Sequence, residues 1–95
     1  MTIKEDQWLW IIVYGREGNE QMLGQHDSEA DVSFIPCFLT KEEAINGLGH
    51  LTKDTGTTYT IQAILYEELR RYAKDGGFVV FVLKASGEII EKLAP

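Results

Sequence analysis

Ser33-Phe34-Ile35-Pro36-Cys37-Phe38-Leu39-Thr40-Lys41-Glu42-Glu43-Ala44 reads as a strand that runs into a capped helix. Alternation puts Phe34, Pro36 and Phe38 on one face and Ile35, Cys37 and Leu39 on the other. Proline brings no N–H to a ladder, so Pro36 belongs at a sheet edge or a bulge. Thr40 followed three residues later by Glu43 makes a T-x-x-E capping box. Glu42 and Glu43 also suit the positive end of a helix dipole.

Before this junction lies Gln7 to Tyr14, a strand with two apolar faces. Trp8, Trp10, Ile12 and Tyr14 share one, and Leu9, Ile11 and Val13 the other. Such a strand is central and covered on both sides. Gly15-Arg16-Glu17-Gly18-Asn19 has turn chemistry, Glu20 to Gly24 returns as a short second strand, and Gln25 to Val32 is a polar connection.

After the junction, helical spacing runs from Thr40 to about Leu51, weakened by Gly47 and Gly49. Thr57 to Ile64 is a strand with Tyr59, Ile61, Ala63 and Leu65 on one face and Thr58, Thr60 and Gln62 on the other. Tyr66 to Asp75 is a second helix, with Glu67 and Arg71 as an i,i+4 pair and Gly76-Gly77 as its stop. Phe78 to Leu83 reads as another central strand, and Glu88 to Leu93 closes a last hairpin. The order β-β-β-α-β-α-β-β predicts an α+β domain. Its sheet is mixed, mainly antiparallel, of five to six strands, with the two helices on one main face. Residues 1–95 fit a single domain, with 1–6 as a flexible tail.

Composition narrows the partners. The chain carries 9 basic and 15 acidic side chains, a net charge of −6, with no basic stripe. Nucleic acid and anionic membrane surfaces are disfavoured, because both are bound by clustered Lys and Arg. One cysteine makes no internal disulfide. Met1 to Asp6 is too polar for a signal peptide, and the longest apolar run, Trp8 to Tyr14, is too short to span a bilayer. A cytoplasmic, reducing setting is expected.

Three segments together have a familiar pattern. A strand ending in Ile35-Pro36-Cys37-Phe38 leads to the helix start Thr40-Lys41-Glu42-Glu43-Ala44. Later, Tyr59-x-Ile61-x-Ala63-Ile64 runs into Glu68-Leu69 of the second helix. This pattern resembles the N-terminal domain of the SseB-type (enhanced serine sensitivity) family and similar small bacterial families, over roughly Phe34 to Ile90. The resemblance implies an α+β domain without an established catalytic motif.

Candidate chemistry is sparse. Cys37 with His26 or His50 as base would make a thiol-dependent enzyme, but a buried free cysteine is ordinary packing. His26-Asp27-Ser28-Glu29-Ala30-Asp31 spaces ligands closely, yet it lacks the glycine of an EF-hand loop and a second cluster for zinc. No metal is expected. The glycine pairs match neither a P-loop nor a dinucleotide fingerprint, so no cofactor is expected either.

Two binding surfaces remain. Tyr59, Tyr66 and Tyr72 could line a pocket for a small ligand. If the two helices take the Leu9 side of the first strand, then Trp8, Trp10, Ile12 and Tyr14 need other cover. A homodimer twin or a protein partner would supply it, since aromatic residues are enriched in such contacts. The leading expectation is a non-enzymatic interaction or regulatory module.

Overall fold

The computed structural model describes residues 3–93. Its strands are β1 (Trp8–Tyr14), β2 (Gln21–Met22), β3 (Gln25–Asp27), β4 (Val32–Cys37), β5 (Tyr59–Leu65), β6 (Val79–Leu83) and β7 (Ile89–Leu93). Helix α1 spans Lys41–Gly47 and continues as a 3-10 turn, Leu48–His50; helix α2 spans Tyr66–Gly76. This is the expected α+β class, with helices and strands in the expected order and β3 as one strand more.

The strands form two sheets, ordered β2-β1-β5 and β3-β4-β6-β7. All pairings are antiparallel except β4 with β6. The sheets meet where Trp10 of β1 and Phe38 exchange two backbone hydrogen bonds, each 2.9 Å. The segment from Gln21 to Asp27 explains the split. Its first half pairs with β1 and its second half with β4, so it enters as a wedge between them. The polar connection expected from Gln25 therefore begins as a strand.

Pro36 sits inside that split. Phe38 turns its N–H and C=O toward β1, and Phe34 pairs with Gln25 of β3 on the same edge. By alternation the nitrogen of Pro36 also faces this edge, between the end of β3 and the Trp10 pair. The missing N–H falls in the gap, where no ladder bond is lost.

The two helices lie on opposite faces, not on one. Leu9, Ile11 and Val13 pack with Ile35, Cys37, Val80 and Val82 beneath Tyr66, Leu69 and Ala73 of α2. Ile12 packs with Phe34, Phe38 and Phe81 beneath Ala44 of α1 and Leu51. Phe34 and Phe81 stack, with ring centroids 4.4 Å apart. An apolar strand face is equally content under either helix, which is why the pattern of β1 alone could not assign them.

The ends of the helices follow their local chemistry. Thr40 Oγ1 accepts a hydrogen bond from the Glu43 N–H at 3.1 Å, as the capping box requires. Helix α2 has no side-chain cap; instead Tyr66 N–H donates to the Gln7 carbonyl and Glu67 N–H to that of Glu5. Ile3 joins the core on the α2 side. From Ile3 onward, the segment expected as a tail thus caps a helix; Met1 and Thr2 lie outside the described residues. Among the described residues no helix is long and apolar enough to cross a membrane.

Candidate functional site

The four residues of the aromatic face of β1 have different surroundings. Ile12 is 1% exposed. Trp10 and Tyr14 are half-buried. The Lys41 ammonium lies 5.9 Å from the centre of the Trp10 ring, a cation–π contact from α1. Tyr14 packs against Tyr59, with centroids 5.9 Å apart. Only Trp8 is open, at 58% exposure. Helix α1 and the turn after it cover the rest, so this face is core at one end and surface at the other.

Trp8 sits beside a free sheet edge. It pairs with Leu65, and Trp10 pairs with Ala63, which puts all four side chains on the α1 face. Strand β5 ends its sheet. None of its seven residues is buried, although most are apolar. The long stretch Thr55 to Tyr66, which contains it, has no charged side chain.

The direction of the backbone groups on β5 follows from its neighbour. Trp10 bonds to Phe38, and the Ile12 carbonyl accepts from Leu23 N–H at 2.8 Å, both on the side away from β5. Leu9, Ile11 and Val13 must then bond β5, through their partners Ile64, Gln62 and Thr60. The N–H and C=O groups of Tyr59, Ile61 and Ala63 point the other way, out of the sheet. Among the described residues no strand lies there to receive them.

The opposite outer strand is built differently. β7 carries Glu91 and Lys92, and its ladder with β6 is irregular between Val82 and Leu83. Charge and irregularity are the usual means of keeping an edge from pairing. β5 has neither.

The tyrosines expected to line one pocket are divided. Tyr59 and Tyr72 border an open cleft of about 620 Å³, together with Tyr14, Gln25 and His26. Tyr66 is 8% exposed and belongs to the core under α2. Several polar groups around the cleft bond one another. Gln25 exchanges two hydrogen bonds, both 2.9 Å, with the backbone of Thr52. Tyr59 accepts from Asp54 N–H at 2.8 Å, and Tyr14 donates to Gln21 at 3.1 Å.

Cys37 is 0% exposed among aliphatic side chains. Burial, reinforced by the Glu91 carboxylate, pushes its thiol up to about 12. It supplies no thiolate at neutral pH. His26 is engaged by Ser33 at 3.2 Å and lies 3.4 Å from Asp31, within the loop read as a candidate ligand set. His50 is exposed in the 3-10 turn.

The edge of β5 was the surface that strand-by-strand reading missed. Its one visible signal was the length of the uncharged stretch Thr55 to Tyr66, twelve residues against nine in Gln7 to Gly15 and in Val32 to Thr40. Comparison with protein-family models, curated proteins and solved structures finds no match to this chain.

Proposed function

We propose that this chain is a non-enzymatic protein-interaction module, working in a cytoplasmic setting, that receives a strand from a partner at the free edge of β5. The observation that carries this reading is the uncharged, unburied edge strand with outward backbone groups at Tyr59, Ile61 and Ala63. Strand addition draws its affinity from such main-chain groups and its specificity from the side chains beside them. Trp8, next to the edge and 58% exposed, is the aromatic anchor that such interfaces favour.

The test places a photo-crosslinking residue at Trp8 and irradiates in cells. An adduct of discrete mass is expected, and it should disappear when Ala63→Pro is added. Proline at residue 63 removes only an outward N–H, so the ladder to β1 stays whole. An adduct that survives Ala63→Pro would refute strand addition, as would no discrete adduct at all.

A further inference from the structure

We infer that the strand received by β5 is the same strand of a second copy, paired antiparallel about a twofold axis through Ile61. This rests on the strand-addition reading above and names its occupant.

Three observations select a second copy. The first is register. An antiparallel pair centred on Ile61 sets Ile61 against Ile61 of the twin and Tyr59 against Ala63. These are the residues whose N–H and C=O groups point out of the sheet. Every outward donor then meets an outward acceptor, and the twofold closes the assembly.

The second is side-chain complementarity. On the α1 face the pairs are Ile61 with Ile61 and the large Tyr59 with the small Ala63. On the other face Thr60 meets Gln62, polar against polar. Moving the axis by one residue, to Gln62, would oppose Thr60 to Ile64 and bring to the seam the residues whose backbone groups already bond β1.

The third is charge. Two copies at −6 each repel, and they can meet most closely where neither carries charge. On the α1 face Thr55 to Tyr66 is that strip; on the α2 face the Glu20 carboxylate accepts a hydrogen bond from Gln62 at 3.1 Å. A basic partner would instead look for acidic side chains along β5; the strand itself has none, and the Glu20 carboxylate beside it is engaged by Gln62. The exposed Ile45, at 54%, one helical turn from Lys41 on α1, extends the apolar surface on the same side.

Sedimentation velocity of the full chain, from about 1 µM to about 0.5 mM, reads the equilibrium. A monomer–dimer transition is expected, tightening as salt rises because the copies repel through their net charge. Ala63→Pro and Ala63→Lys should each weaken the dimer at least about tenfold, because the twofold axis makes each substitution act at two places in the interface. The second variant leaves the backbone untouched, so its result stands even if the proline variant folds poorly. A wild-type chain that stays monomeric throughout overturns self-pairing. Strand addition would then survive only if the Trp8 adduct is discrete, depends on Ala63 and differs in mass from a dimer. A dimer that both folded variants leave unchanged overturns the inference, and strand addition is then decided by the Trp8 adduct in the same way.

Discussion

Replacing Gly47 with alanine should destabilise the fold, although alanine is the better helix former. Gly47 is the last residue of α1 and is buried. A methyl group built there runs into the Phe38 ring, whose Cζ would be only 2.6 Å away. That ring is 0% exposed, and both backbone groups of Phe38 are held by Trp10. It has no space to withdraw into. Alanine in a helix interior gains up to about 1 kcal/mol over glycine. Overpacking a core of this kind costs about 1–3 kcal/mol, and an approach this short falls at the upper end. The net loss is about 1–2 kcal/mol. With a urea slope of about 1 kcal/mol/M, the midpoint should fall by about 1–2 M. Gly49 is the internal control: its added methyl meets nothing within 4 Å. Gly49→Ala should hold or raise the midpoint. Unfolding of both variants, followed by tryptophan fluorescence at one fixed protein concentration, makes the comparison. A Gly47→Ala protein as stable as Gly49→Ala would refute the claim that α1 packs on Phe38 at glycine distance.

Thr40→Ala should cost about 1 kcal/mol in the same assay, because the Glu43 N–H loses its acceptor. Ile12→Ala should cost about 2–4 kcal/mol and Trp8→Ser less than about 0.5 kcal/mol, since one is core and the other surface; equal losses would contradict the division of that face. Cys37 should resist thiol reagents in the folded protein and react fully in urea. Its proton is held more tightly folded than unfolded, so stability should fall as pH rises above about 9, by at most about 1.4 kcal/mol per unit up to about 12. Cys37→Ala should flatten that slope in equilibrium unfolding between pH 9 and 10.

Much of this fold was legible in local chemistry. Thr40 and Glu43 marked the start of α1, and the alternation around Pro36 assigned Ile35 and Cys37 to one core and Phe34 and Phe38 to the other. What stayed hidden depended on distant neighbours. Nothing in Trp8 to Tyr14 distinguishes a face under α1 from one under α2. Gln21 to Asp27 has no alternation to announce that it serves two sheets. Gly47 looked like a weak point of its helix until the Phe38 ring was seen beside it. β5 looked like any apolar strand, because an edge is defined by the partner it lacks.

The wedge from Gln21 to Asp27 has a consequence for how the protein comes apart. Because one segment closes ladders in both sheets, neither sheet can melt without stripping strands from the other. The chain should therefore behave as one cooperative unit. Tryptophan emission from β1 and amide exchange at Val80 in β6, on separate sheets, should report a single transition with one midpoint.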